Sequence, residues 1–175
     1  MRRSLVLAVV VLVAFAGNAF AGSNIQSSSK FGAGVQLGYP DEGLSFNYFL
    51  SDKMSLQINP AVKIKDNWFG FGSRVDALYW MPKIAGWGFG DLVWYAGFGG
   101  NFFWVTIDSK DASGNDDSKS FFALGAEGVI GIGLQFKAVP IDLNLEAVPI
   151  LSILGHGGVD IDFDWAGVLN ARWYF

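Results

Sequence analysis

The sequence contains no cysteine, a single histidine and only 16% charged residues in 175. Without cysteine there is no disulfide, so an exported domain of this size must be held together by other means. Beyond residue 21 no apolar run approaches the roughly 20 residues that a membrane-spanning helix needs. Yet 51% of the chain is hydrophobic and 16% is aromatic. These apolar residues must belong to a structure other than a membrane helix.

The N-terminus, "MRRSLVLAVVVLVAFAGNAFAGS", has the three parts of a secretory signal peptide. Arg2 and Arg3 are basic, residues 5–15 are apolar, and Ala19 and Ala21 lie at the positions that a signal peptidase reads. We therefore expect a cleaved signal over 1–21 and one domain over 22–175. A retained anchor helix is the alternative, which the short apolar run disfavours. No cysteine follows, which excludes a lipoprotein.

The remaining chain is acidic. Without Arg2 and Arg3 it has 10 basic and 16 acidic residues, a net charge of −6. Phosphate backbones are bound by clustered lysine and arginine. This balance argues against nucleic acid as a partner.

Apolar residues recur at every second position, which indicates β-strands. At the end of the chain one face is apolar or small and the other carries the charge. The first face has Trp165, Gly167, Leu169, Ala171, Trp173 and Phe175, and the second has Asp164, Ala166, Val168, Asn170, Arg172 and Tyr174.

Seven breaks rich in turn-forming residues divide the chain into eight strands. Several exceed the usual length of about 5–6 residues and suit strands that cross a bilayer at a tilt. The strands are predicted over 31–39, 43–50, 54–65, 68–80, 91–107, 119–135, 140–152 and 160–175.

The apolar face is large and aromatic, whereas the opposite face combines glycine with a few charges. A soluble β-sandwich would bury the apolar face. In an exported chain without cysteine, we instead favour a closed barrel whose apolar face contacts lipid and whose backbone groups are all paired. The predicted fold is an all-β, eight-stranded antiparallel up-and-down transmembrane barrel. An even strand count places both termini on the periplasmic side.

Charged residues on the opposite face would lie in the lumen, where buried charges need partners. We expect an ion-pair network in which Arg74 and Arg172 are shared among the carboxylates of Glu127, Glu146 and Asp76. Inward glycines such as Gly97, Gly99, Gly125, Gly131 and Gly133 leave room for water, so a narrow ion path is the alternative. The inward charges are Lys63, Arg74, Asp76, Glu127, Asp142, Glu146, Asp162, Asp164 and Arg172.

Other candidate chemistry is weak. A lipid A deacylase would place a serine two residues from a histidine, but Gly158 follows His156 at that spacing. The loop 108–120 is rich in aspartate but does not match a calcium-binding EF-hand. We expect no catalytic residue, no metal and no cofactor, and we interpret the seven tryptophans as membrane-interface belts.

The ending "GVLNARWYF" places Trp173 and Phe175 on the lipid-facing side of the closing strand. This ending resembles the C-terminal signal of bacterial outer-membrane proteins, which implies recognition by the barrel-assembly machinery. Trp173 and Phe175 are the assembly-signal residues that this resemblance identifies.

Three segments extend the resemblance: "FGAGVQLGYPDEGLSFNYFLSDKMSLQI", "LNLEAVPIL" and "FDWAGVLNARWYF". They look like a family of small outer-membrane barrels, similar in plan to the OmpA-type transmembrane domain. The resemblance implies a monomer in the outer membrane, in contact with its lipids and lipopolysaccharide. We expect a structural role in envelope integrity or surface interaction. A narrow porin-like channel is the alternative, followed by an adhesin or a lipid A-modifying enzyme.

Overall fold

A computed structural model of the protein describes residues 30–39, 42–65, 68–110, 116–155 and 159–175. The expected signal peptide lies outside this range. Among the described residues, no helix is long and apolar enough to cross a membrane. The strands are β1 (Phe31–Gly38), β2 (Gly43–Ser51), β3 (Met54–Lys65), β4 (Trp68–Trp80), β5 (Ala85–Gly86), β6 (Gly90–Lys110), β7 (Asp116–Phe136), β8 (Ile141–Gly155) and β9 (Val159–Tyr174).

Eight of these strands close into an antiparallel barrel. Apart from the short β5, each strand pairs with the next one along the chain, so β4 pairs with β6, and β9 pairs with β1. The short β5 pairs only with the first residues of β6, through Ala85 opposite Leu92 and Gly86 opposite Asp91. The predicted all-β, eight-stranded barrel is confirmed. We call the end that carries Lys30 and Phe175 the terminal end, and the opposite end the loop end.

The strand boundaries differ from prediction mainly at β6 and β7. The 108–120 segment was predicted to be a loop, but the β6–β7 ladder continues until Lys110 faces Asp116. Backbone pairing does not need apolar side chains, so a polar hairpin continues beyond the apolar part of the wall. The two-residue β5 was missed because it lies inside the glycine-rich connection between β4 and β6.

The barrel is polar inside and apolar outside, the reverse of a soluble domain. Along β8, Leu143 and Leu145 are exposed, whereas Asn144 and Glu146 are buried. This alternation follows from the two-residue period of a strand. The buried polar side chains are Gln36, Ser45, Asn47, Ser55, Gln57, Asn59, Arg74, Asp76, Asn101, Glu127, Gln135, Asp142, Asn144, Glu146, Asn170 and Arg172.

Two apolar clusters lie on either side of the buried charges. At the terminal end, Trp80 packs against Tyr95 in a tilted arrangement with ring centroids 4.4 Å apart, and Phe49 contacts both Trp80 and Tyr174. At the loop end, Val148, Ile150 and Val168 form a smaller cluster. The first cluster also contains Leu78, Val93 and Val129.

At three of the inward glycines, neighbouring side chains occupy the space that the alternative expectation assigned to water. A Cβ at Gly131 would overlap the ring of Tyr95, and one at Gly133 would overlap the amide of Asn144. A Cβ at Gly97 would overlap Leu78. Each missing side chain makes space for a larger one from a neighbouring strand, so the lumen is filled in the manner of a small barrel.

The wall of the barrel is uneven. The β1 strand has 8 residues and β2 has 9, whereas β6 and β7 have 21 each. Trp80 and Trp68 at the ends of β4 face Tyr95 and Ile107 of β6, so β6 continues to Gly90 at the terminal end and to Lys110 at the loop end. The barrel is therefore low on the β1–β2 side and tall on the β6–β7 side.

Candidate functional site: a charged layer across the lumen

The candidate site is a layer of charged side chains across the middle of the lumen. Arg74 and Asp76 are two residues apart on β4, so they share the inner face. Glu127 on β7 and Glu146 on β8 face them from across the barrel. The structure brings these four predicted residues together.

Arg74 lies at the centre of this layer and contacts three carboxylates. Its Nε donates to Glu127 Oε1 at 2.6 Å, and its Nη2 donates to Asp76 Oδ2 at 3.0 Å. Its Nη1 donates to Glu146 Oε2 at 3.3 Å. These side chains have no exposed surface. In such a dry site, hydrogen bonds to charged groups are strong and the loss of one partner is costly.

Neutral side chains donate further hydrogen bonds to Glu146 and Glu127, whereas Asp76 Oδ1 has no partner among the described residues. The Tyr95 hydroxyl donates to Glu146 Oε1 at 2.9 Å, and Gln57 Nε2 donates to the same oxygen at 3.0 Å. Asn101 Nδ2 donates to Glu127 Oε2 at 2.6 Å. The aromatic cluster and the charged layer are thus directly connected through Tyr95.

Arg172 forms a second ion pair, and its partner differs from the prediction. Instead of sharing Glu127, Glu146 or Asp76, it bonds Asp142 through Nε at 3.1 Å and Nη2 at 3.0 Å. The β8–β9 register explains this, because Asp142 lies directly opposite Arg172. The Tyr174 hydroxyl also donates to Asp142 Oδ2, at 2.7 Å. Cross-strand proximity decides the pairing.

Gln57 joins the two ion-pair groups into one network. Its Nε2 donates to Glu146, while its Oε1 accepts from Arg172 Nη1 at 2.6 Å. An amide suits this position because it presents a donor on one side and an acceptor on the other. The network therefore spans the lumen from β4 and β7 to β9.

The layer carries more acid than base. It combines four carboxylates, those of Asp76, Glu127, Asp142 and Glu146, with two guanidinium groups. Buried charges without a partner are expensive, which makes the two arginines essential to this arrangement. Its chemistry is that of fixed, paired charges, with no nucleophile activated by a base. No group of side chains within the described ranges could hold a metal ion.

Tyr39 covers the charged layer from the loop end. Gly38 has a φ of 116°, in the left-handed region that favours glycine, and it turns the chain at the end of β1. Tyr39 then packs against the cluster of Val148, Ile150 and Val168. Burial, and then the negative charge of Glu127, raise the pKa of Tyr39 to about 12. Its hydroxyl stays neutral near pH 7 and adds no charge to the mouth of the lumen.

The other predicted inward charges do not join the layer. Asp162 and Asp164 are exposed, because β9 rises above β1 at these positions. The side chain of Lys63 and all of His156 lie outside the described residues. The interpretation of every tryptophan as an interface residue is wrong for Trp80. Its Nε1 donates to Ser55 Oγ at 2.8 Å inside the lumen, because Trp80 is in phase with Arg74 on β4.

The two residues expected to signal assembly lie at the closing seam. Trp173 faces Ala33 of β1 on one side and Ile141 of β8 on the other. The Phe175 backbone N–H donates to Phe31 O at 2.8 Å, and the rings of Phe31 and Phe175 stack with centroids 6.4 Å apart. The end of the chain is held by the first strand rather than left to fray.

Sequence reasoning missed the neutral members of the network. Tyr95, Tyr174 and Gln57 were not singled out, although each lies in phase with the inner face of its strand. Two-residue periodicity alone therefore marked them as inward. For Tyr95 and Tyr174, a hydroxyl group on an inward aromatic side chain indicated a hydrogen bond to a buried acid.

Comparison with known proteins gives a structural likeness. No family model and no curated protein matches the chain. Among solved structures, the chain is similar to the N-terminal β-barrel domain of OprF from Pseudomonas aeruginosa. The TM-score is 0.48 and 19% of aligned residues are identical, over 86% of this chain and 98% of that domain.

Proposed function

We propose that this protein is an integral outer-membrane β-barrel with a structural role in the envelope or in contacts at its surface. The observation that carries the proposal is the reversed polarity of the barrel. Large apolar side chains such as Phe98 and Leu145 are exposed, whereas Arg74 and Arg172 are buried. A surface of this kind is unfavourable in water and favourable against lipid tails.

Closure of the barrel supports a membrane location. In lipid, every backbone N–H and C=O must be paired within the protein, which only helices and closed barrels achieve. Backbone pairing runs around the whole barrel, from β1 to β9 and back to β1. The barrel meets this condition over the part of the wall where β1 and β9 are paired. The partners that follow are the outer-membrane lipids and lipopolysaccharide, with the barrel-assembly machinery acting during insertion.

The filled lumen supports a structural role over transport. The aromatic cluster, the charged layer and Tyr39 occupy successive levels of the interior. Arg74 and Arg172 each have three or more hydrogen bonds that would have to break before an ion could pass. We propose no enzymatic activity; among the described residues, the charged layer holds paired arginines and carboxylates without a nucleophile beside a base.

A narrow channel for ions or small solutes is the second candidate, and one observation favours it. Asn144 and Asn170 lie opposite each other on β8 and β9, fully buried. Neither side-chain amide has a hydrogen-bond partner among the described residues. Burying an unpaired amide is costly, so these groups favour entry of water into the lumen beside the charged layer.

Two measurements test these functions. Fractionation of cells that express the full chain should place it in the outer membrane, and recovery in the soluble fraction would contradict the first proposal. Single-channel recording in planar bilayers should give no steady conductance. Steady conductance that Asn144→Leu abolishes, and that the lipid-facing control Leu145→Ile leaves unchanged, would instead establish the channel.

A further inference from the structure

The uneven wall leaves one edge of β9 uncovered. Pairing of β1 with β9 ends where Gly38 faces Val168, but β9 continues to Val159 at the loop end. Within the described ranges, no strand pairs with the β1-facing side of 159–167. Only two residues separate Tyr39 from Glu42, too few to run along this length. We call 159–167 the β9 edge.

The backbone of the β9 edge presents its hydrogen-bonding groups to the open side. A Cβ at Gly34 would overlap Ala171 O, and one at Gly38 would overlap Gly167 O. Odd-numbered residues of β9 therefore direct their backbone N–H and C=O groups toward β1, since both groups of a residue point the same way. By the same alternation, the backbone N–H and C=O groups of Ile161, Phe163 and Trp165 point into the open space above β1.

One of these groups is already occupied within β9. The Trp165 backbone N–H donates to the Asp164 carboxylate at 2.7 Å. The N–H groups of Ile161 and Phe163 have no such contact among the described residues, and the three carbonyl oxygens also face outward. These groups match the ladder that an added antiparallel strand would form.

The side chains of the β9 edge divide into an apolar side and an acidic side. Ile161, Phe163 and Trp165 lie on the outer side and are 65%, 59% and 60% exposed, among the most exposed large apolar residues of the described chain. Asp162 and Asp164 lie on the inner side and are also exposed. An uncovered edge with apolar side chains is a site for pairing with another strand.

The charge pattern selects the partner. Antiparallel pairing of two copies about Phe163 would place Asp162 of one copy opposite Asp164 of the other, and like charges directly opposite are destabilising. A strand with basic residues facing these acids, and apolar residues facing Ile161 and Phe163, avoids this repulsion. A second copy of the chain paired in this register is thus disfavoured as the occupant.

We propose that the β9 edge binds an extended segment of another protein in which basic and apolar residues alternate. The segment adds to the barrel as a strand in the place above β1. Main-chain hydrogen bonds to Ile161, Phe163 and Trp165 supply the pairing, and Asp162 and Asp164 supply the charge preference. The inference depends on strand register and charge, and so it stands whether or not the lumen conducts.

The test uses the full chain refolded into zwitterionic lipid nanodiscs. The probe is a nine-residue capped peptide of alternating valine and lysine, and the matched control is the peptide of alternating valine and glutamate. Hydrogen exchange of backbone amides is followed by NMR. We expect the lysine peptide to slow exchange at Ile161 and Phe163 by about tenfold or more, and the glutamate peptide to leave it unchanged.

Variants locate the binding. Phe163→Pro removes one outward N–H from an edge position where proline is tolerated, and Asp162→Asn with Asp164→Asn removes the charge. Each should weaken binding by about tenfold, whereas Asp91→Asn at the terminal end should not. If Phe163→Pro fails to fold, a lysine peptide N-methylated along one edge replaces it and should not bind.

Three results would overturn the proposal. The first is equal binding of the lysine and glutamate peptides. The second is equal binding of the N-methylated and unmodified lysine peptides, which would indicate association with lipid. The third is protection of Ile161 and Phe163 without peptide, accompanied by dimer formation, which would assign the β9 edge to a second copy.

Discussion

Arg172 on β9 and Asp142 on β8 lie directly opposite each other and share two hydrogen bonds, of 3.1 and 3.0 Å. Both side chains are fully buried. Their strands form the last hairpin before the chain closes on β1. The Asp142 carboxylate therefore neutralises the Arg172 guanidinium beside the β1–β9 pairing. Removing either member leaves the other charge unpaired in a dry site.

Arg172→Ala should lower the free energy of unfolding by about 3–5 kcal/mol, because it leaves the buried Asp142 carboxylate without a charged partner. Urea unfolding of the refolded barrel, followed by tryptophan fluorescence, measures the change. Adding Asp142→Asn should restore part of the loss. Adding Glu127→Gln should restore none, since Glu127 pairs with Arg74. If Asp142→Asn and Glu127→Gln restored the same amount of stability, the net charge of the lumen, and not the direct Arg172–Asp142 pair, would explain the loss.

Arg74→Met should open the lumen to cations. The change leaves Asp76, Glu127 and Glu146 facing one another without a guanidinium, and their repulsion should separate them and admit water. Planar-bilayer recording should show cation-selective conductance that the parent protein lacks. If Arg74→Met folds normally and conducts no better than the parent protein, the prediction is wrong and other side chains close the lumen.

Gly131→Ala should destabilise the barrel by about 1–3 kcal/mol, because the new Cβ overlaps the Tyr95 ring. Gly167→Ala is the control, since a Cβ there meets nothing within 4 Å. Urea midpoints of both variants check this difference. Equal midpoints would mean that the Tyr95 ring moves aside at little cost.

Deletion of Phe175, or Trp173→Asp, should slow insertion into the outer membrane. The deletion removes the hydrogen bond to Phe31 O and the stacked ring at the seam. A charge on the lipid-facing side costs up to about 2–4 kcal/mol at mid-bilayer and less near the interface, so slow assembly should exceed lost stability. Pulse-chase fractionation measures the rate, with Phe175→Tyr as control. A normal rate for the deletion would contradict the assembly role.

An epitope inserted after Ser113 should be accessible to antibody on intact cells. This position lies outside the described residues, between the two longest strands. An even number of wall strands places the β6–β7 hairpin at the end opposite both termini. Labelling seen only after permeabilisation would reverse the orientation, with the termini outside.

Two-residue periodicity was enough to predict the barrel and most strand boundaries. It predicted β3 as 54–65 and β4 as 68–80, as the structure has them. It also placed Arg74 and Glu127 on inner faces, since the inner or outer position of a residue depends only on its own strand. Strand ends were less predictable at β6 and β7, where a polar ladder continues without any apolar signal.

Partners across the lumen were not predictable from periodicity. The pairing of Arg172 with Asp142 depends on the β8–β9 register, which the periodicity within a single strand does not determine. Trp80 was misplaced for a different reason. Its size and polarity suit a membrane interface, but strand phase turns it inward, and Ser55 satisfies its N–H there. Strand phase is the stronger guide when it conflicts with residue preference.

The low side of the wall has a consequence for the surrounding bilayer. With 8 residues, β1 spans about 27 Å along its own axis and, at a tilt of 35–45°, about 20 Å along the barrel axis. A typical outward apolar band is about 25 Å tall. In the membrane location that we propose, lipids beside β1 and β2 would therefore have to shorten by a few ångströms, or the barrel would have to lean toward its tall side. The first response would thin the membrane at one fixed position on the barrel's circumference, and the second would give the barrel a fixed direction of tilt.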